Sequence, residues 1–128
     1  MEEDFIKKLN DFLFENIQNS ALNVNLLAKS LYMSRPTLYR KIKAITDLTP
    51  NELINLARLK KAAELLGSAD YKVFEIAKMV GFNSQSSFGK AFLKHFKVTP
   101  TEYQLIHKRE FFQIGEKKIH KYDQIEHF

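Results

Sequence analysis

Two short runs place basic, amide and hydroxyl side chains at helical spacing. Arg35, Tyr39, Arg40 and Lys43 share one face of the first run, and Gln85, Ser86, Gly89, Lys90 and Lys94 share one face of the second. An arginine fork can donate two hydrogen bonds to the O6 and N7 of a guanine, and a glutamine can pair with adenine in the same groove. Lysine lacks that fork, so Lys43, Lys90 and Lys94 suit phosphate, and Arg35 at a helix start does likewise. Tyr39 can stack or touch a phosphate, although an aromatic at this spacing also serves a core.

Catalytic groupings are missing from the sequence. There is no glycine-rich phosphate loop, no His-Glu-x-x-His and no carboxylate pair on one helical face. His95, His107, His120 and His127 are scattered without metal-site spacing, and the chain has no cysteine. A thiolate zinc site or disulfide scaffold is thereby excluded, no cofactor is expected, and the chain does not read as an enzyme.

The elements that position these faces are written twice. Residues 27–47 read LAKSLYMSRPTLYRKIKAITD, and residues 76–97 read IAKMVGFNSQSSFGKAFLKHFK. Ala28 answers Ala77, Ser34 answers Ser84, Leu38 answers Phe88 and Ile42 answers Phe92, with one extra residue in the second turn. A repeat of this period marks a duplicated supersecondary unit. In each copy a short apolar helix leads into a turn, and a second helix opens on Ser34 or Ser84 as its cap. Gly81 supplies the positive φ such a turn often needs; the shorter first turn, with Tyr32, is expected to avoid it. Pro36 falls in the first helical turn, where no donor is lost. The stop is duplicated too: Thr49-x-x-Glu52 and Thr99-x-x-Glu102 are capping boxes with proline at the first helical position. Each copy is a helix-turn-helix with a follow-on helix.

Residues 4–18 carry the stripe Phe5, Leu9, Phe12, Leu13 and Ile17, a supporting helix for the first unit. From Pro50 the chain continues helically to Leu66, and Gly67-Ser68 is expected to stop it, giving a strut of roughly 25 Å between the lobes. The last helix opens at Pro100, turns Tyr103 and Ile106 inward and is expected to end near Arg109. The fold class is all-α, about seven helices, with a first lobe over 5–49, a linker helix over 50–66 and a second lobe over 70–109. Residues 110–128 form a separate tail, packed or disordered, apolar enough to dock but broken by Gly115.

The 128 residues carry a net charge of +5, with 45% hydrophobic and 27% charged residues, ordinary for a globular chain. Charge is placed unevenly: residues 27–61 are +6 and 76–109 are +5, while the other segments are net acidic. A polyanion is the implied partner. A helical module that binds another protein and attracts nucleic acid only nonspecifically remains the alternative, since charge alone fits both. The acidic N-terminus is unlike a secretory signal, and no apolar run approaches membrane-spanning length. The cytoplasm is the expected location.

These motifs resemble the two-lobed DNA-binding domain of the AraC/XylS family of bacterial transcription regulators, over about residues 5–109. The resemblance rests on the leading LA…S…L…R of the first copy, ARLKKAAELL between the lobes, and IAKMVGFNSQSSFGKAFLKHFKVTP in the second. It implies two recognition helices, about 35–47 and 85–97, in successive major-groove segments of double-stranded DNA. Carried over by position, base-edge or flanking contacts fall on Pro36, Tyr39 and Arg40, and on Gln85, Ser86, Ser87 and Lys90. Ser34 and Ser84 cap their helices and can also meet a phosphate. The chain departs from the family pattern at Asp47 and Lys97, where a helix-ending glycine is common, and at Ser87, Gly89 and Leu93. The resemblance further implies a sensor or dimerisation domain outside this chain, and activation through RNA polymerase.

Overall fold

The computed structural model describes residues 2–68 and 70–114, with side chains placed over 3–68 and 70–107. Among the described residues seven helices follow in order: α1 (Glu2–Asn16), α2 (Val24–Ser30), α3 (Arg35–Thr46), α4 (Pro50–Ser68), α5 (Val73–Met79), α6 (Gln85–Phe96) and α7 (Pro100–Ile114). No strand occurs among the described residues. The all-α expectation holds, and α3 and α6 coincide with the two expected recognition helices, their last expected residues serving as caps.

The helices bury two cores, one per repeat. In the first, Phe5, Leu9 and Leu13 of α1 close over Leu27 of α2 and over Leu38 and Ile42 of α3. In the second, Ile76 of α5 and Val80 at its C-terminal cap meet Phe88, Phe92 and Phe96 of α6 and Tyr103 of α7. The second core is the more aromatic: Phe92 packs 4.4 Å from Phe96 and edge-on to Tyr103 at 5.4 Å, centroid to centroid. Such edge-to-face pairs add to simple burial. Helix α4 belongs to both cores. Its first half sends Leu53 and Ile54 into one, and its second half sends Leu59, Ala62 and Leu66 into the other. A helix apolar on several faces in this way is buried between layers, which makes α4 a shared wall.

The capping boxes form as their sequence predicts. The Thr49 amide donates to Glu52 Oε1 at 2.8 Å while the Glu52 amide donates to Thr49 Oγ1 at 3.1 Å, and Thr99 and Glu102 repeat both bonds. Hydrogen bonding by Thr49, first from its backbone amide and then from its side chain, holds the Glu52 carboxyl below the usual carboxylate range. Asn23 caps α2 by accepting from the Leu26 amide. The lobes are joined without a flexible linker.

Four expectations are corrected or refined. The first turn does not avoid the left-handed region, because Tyr32 sits at φ 57° where Gly81 sits at 89°. Both close the same motif: Met33 donates to the Ala28 carbonyl and Tyr32 to Lys29, as Phe82 does to Ala77 and Gly81 to Lys78. That helix ending requires a left-handed residue, and the extra residue of the second copy, Asn83, comes after it. Second, α4 takes in Gly67 and Ser68 beyond the expected last residue Leu66 and ends at Ser68, within the expected stop. The bare backbone of Gly67 receives the His107 ring, whose Nδ1 would lie 3.5 Å from a Cβ there. Third, α7 turns Tyr103 and His107 inward and leaves Ile106 exposed, so the helix is phased on a four-residue step. Fourth, α7 extends past Arg109 to Ile114. The rest of the expected tail lies outside the described residues.

Candidate nucleic-acid interface

Each recognition helix has a buried side fixed by its core and an opposite side left open. In α3, Leu38 and Ile42 are fully buried, while Arg35, Pro36, Tyr39, Arg40 and Lys43 are exposed. In α6, Phe88 and Phe92 are fully buried, while Gln85, Ser86, Ser87, Lys90 and Lys94 are exposed. Every residue expected at a base or phosphate therefore reaches solvent. The apolar spacing decides this, since residues four apart on a helix share a face.

The open side of each helix borders a groove closed by the start of the following helix. In the first lobe Arg35, Pro36 and Tyr39 face Thr49, Pro50 and Asn51 across about 480 Å³. In the second, Gln85, Ser86, Gly89, Lys90 and Leu93 face Thr99 and Pro100 across about 470 Å³. Arg35 corresponds to Gln85, Pro36 to Ser86, Tyr39 to Gly89 and Pro50 to Pro100, so one concavity is built twice with different chemistry. Arg40, Lys43 and Lys94 stand outside these grooves, on the flanks of the helices.

The serines have structural duties first. Ser34 Oγ accepts from the Thr37 amide at 3.3 Å, and Ser84 Oγ accepts from the Ser87 amide at 3.0 Å. Ser84 also donates to Ser87 Oγ at 3.1 Å, drawing that hydroxyl toward the cap and leaving its own proton available. At the other end, Asp47 and Lys97 adopt left-handed φ values of 64° and 68°. These non-glycine residues therefore make the turn that the family commonly gives to glycine.

Gly89 has nothing within 4 Å of the place where a Cβ would stand. Packing does not require a glycine there. The result is a bare patch of helix on the open face, where the first lobe carries Tyr39.

Two residues stand in places the sequence did not indicate. Arg58, counted in the sequence as part of the basic surface, is buried at 8% exposure and donates to the carbonyls of Ile17 and Asn19. Desolvation lowers its pKa, and its charge does not belong to the open face. Tyr32 is 96% exposed at the turn that precedes α3. His107 is a core residue stacked 4.1 Å from Tyr103. Among the described residues no cluster of His, Cys, Asp or Glu could hold a metal.

Comparison with known proteins agrees with this geometry. A family described as a helix-turn-helix domain matches residues 27–105, which span both repeats. Histidine kinase P4 of Formosa agariphila is 39% identical over 111 residues, covering 87% of this chain and 8% of the kinase. Regulatory protein SoxS of Salmonella typhimurium is 31% identical over 102 residues, covering 80% of this chain and 94% of SoxS. The DNA-binding domain of the global transcriptional factor AdpA, solved in complex with a target DNA, superposes with a TM-score of 0.77 at 26% identity. That match covers 84% of this chain and 96% of the AdpA domain. The chain thus corresponds to a small fraction of the kinase and to nearly all of SoxS. With two helix-turn-helix units on one shared helix and the family match across both, this chain belongs to the AraC/XylS-type family of helix-turn-helix DNA-binding domains.

Proposed function

We propose that the chain is the sequence-specific output module of a bacterial transcription regulator, reading two successive major-groove segments through α3 and α6. The observation that carries this is the duplicated groove, in which different side chains occupy equivalent positions around the same backbone frame. Such a frame docks two helices alike and lets each read its own bases. The functional units are a first lobe over 5–49, α4 as the connection and a second lobe over 70–109.

In this reading Arg40 pairs with a guanine, and Gln85 pairs with an adenine. Pro36, Tyr39, Ser86, Ser87 and Lys90 lie at base edges or their immediate flanks. Arg35, Lys43 and Lys94, with Ser34 and Ser84 at the helix starts, position the lobes on phosphates. The 39% match within a far longer kinase favours a module attached to a signalling part, where sensing and dimerisation reside. Promoter activation through RNA polymerase completes the reading and places the chain at the nucleoid. No helix among the described residues is long and apolar enough to cross a membrane.

The test is selection of a random duplex library by the purified chain, followed by binding of the winners across salt concentrations. A bipartite motif is expected, with half-sites about one helical turn apart. Arg40→Ala should relax one half and Gln85→Ala the other, each by about 1–3 kcal/mol of discrimination. Enrichment of no motif, with weak binding that vanishes at moderate salt, would overturn sequence-specific readout and leave the protein-interaction module as the better account.

A further inference from the structure

The two lobes meet beside α4. The α1–α2 connector of the first lobe presents the Ile17 and Asn19 carbonyls to Arg58, whose Nη2 donates to Asn19 at 2.8 Å and Nε to Ile17 at 3.5 Å. The turn of the second lobe closes on the same spot. A Cβ on Gly81 would stand 2.3 Å from the Ile17 carbonyl oxygen and 2.8 Å from Arg58 Nε, closer than packed atoms approach. Gly81 is therefore required twice, by its φ of 89° and by this contact. Tyr32, its counterpart in the first lobe, meets solvent instead.

The chemistry suits a fixed joint. Helix α1 has no basic residue in its last turn, and Arg58 from α4 brings a cation to its C-terminal end, where the helix dipole favours one. A buried guanidinium keeps its charge and must keep its acceptors, because losing them would strand a desolvated ion. Sliding one lobe against the other would break both bonds and drive the Gly81 backbone into the connector.

We infer that Arg58, held between the Ile17 and Asn19 carbonyls and the Gly81 turn, is a positioning residue that fixes the spacing and relative twist of the two recognition helices. The inference rests on the proposed two-lobe reading of DNA. On that reading, spacer length between half-sites becomes part of what the chain recognises. Changing the spacer by one base pair moves a half-site by about 3.4 Å and turns it by about 34°. A rigid pair of lobes cannot follow that motion, whereas a loosened pair can.

The experiment measures affinity for duplexes carrying the two selected half-sites with spacers from two base pairs shorter to two longer. The wild-type chain should lose about tenfold or more when the spacer is off by two base pairs, comparable to a mismatched base pair. Arg58→Met, which keeps an apolar stem in the same space, should narrow that penalty to about threefold or less while single half-site binding stays unchanged. Arg58→Lys should fall between them. If Arg58→Met weakens every spacer equally and keeps the wild-type profile, the positioning role is refuted while two-lobe reading stands. If the wild-type chain selects one half-site only, the two-lobe reading itself fails, and the spacing role with it.

A second measurement needs no DNA. The chain has no cysteine, so spin labels at Asn25→Cys on α2 and Lys78→Cys on α5, both exposed, report the distance between lobes. A narrow distance distribution that broadens in Arg58→Met or Arg58→Lys supports the joint. An unchanged distribution in a folded variant overturns it.

Discussion

Replacing Gly89 with alanine should move stability and DNA affinity in opposite directions. Gly89 lies in the interior of α6, five residues into a twelve-residue helix. Glycine costs a helix interior about 0.8–1 kcal/mol relative to alanine. Nothing stands within 4 Å of the new methyl group, so no steric term offsets that gain. The variant should be more stable by about 0.8–1 kcal/mol, which raises the melting temperature of a domain this size by about 3–5 °C. The same methyl group enters the groove between Gln85, Ser86, Lys90 and Leu93. If that groove closes on DNA, the methyl stands where the helix backbone approaches most closely. Affinity for the selected site should then fall by about 1–3 kcal/mol, the cost typical of one mismatched pair. Thermal melts and titrations of one preparation measure both quantities. Loss of stability would refute the packing argument; a stability gain with unchanged affinity would refute the placement of Gly89 against DNA.

Two further outcomes follow from local geometry. Asp47 and Lys97 hold left-handed caps that glycine adopts without a Cβ penalty. Asp47→Gly and Lys97→Gly should each raise stability by up to about 1 kcal/mol in urea melts, with the larger gain at Lys97, because aspartate tolerates this region better than lysine. Desolvation, reinforced by the charge of Lys97, holds the His95 imidazole below its ordinary pKa. The unfolded chain therefore binds the proton more readily, so the His95 contribution is complete above the ordinary imidazole range of about pH 6.5 and is lost as pH falls below it through the lowered folded pKa. His95→Gln should flatten the difference between urea midpoints at pH 7.5 and pH 5.5.

Most of the fold was legible because its signals are local. Both serine caps, both capping boxes and the spacing of Leu38 with Ile42 and Phe88 with Phe92 lie within a few residues of what they control. The open faces followed by subtraction, since whatever the core did not take was left outward. Features that depend on distant chain were hidden. Arg58 reaches acceptors 39 and 41 residues away, and in sequence it looks like any other surface arginine of a basic segment. Gly67 lies against the His107 ring, 40 positions later, a neighbour that no local signal in the sequence reports. The inward face of α7 was misread by one residue because a three-residue step from Tyr103 points to Ile106 and a four-residue step to His107. Tyr32 shows a different limit: helix termination demands a left-handed residue, and a fully solvated side chain is free to meet that demand where glycine would be expected.

The central claim is that α3 and α6 occupy two major-groove segments of one duplex at the same time. Dimethyl sulfate protection of the selected site tests it most directly, because the reagent attacks guanine N7 in the major groove. On a duplex with a guanine beside the adenine assigned to Gln85, the account predicts two clusters of protected guanines on one face of the helix, centred about 10–10.5 base pairs apart, with the first cluster lost in Arg40→Ala. A single protected cluster, or unaltered N7 reactivity in a complex that is demonstrably bound, would contradict it.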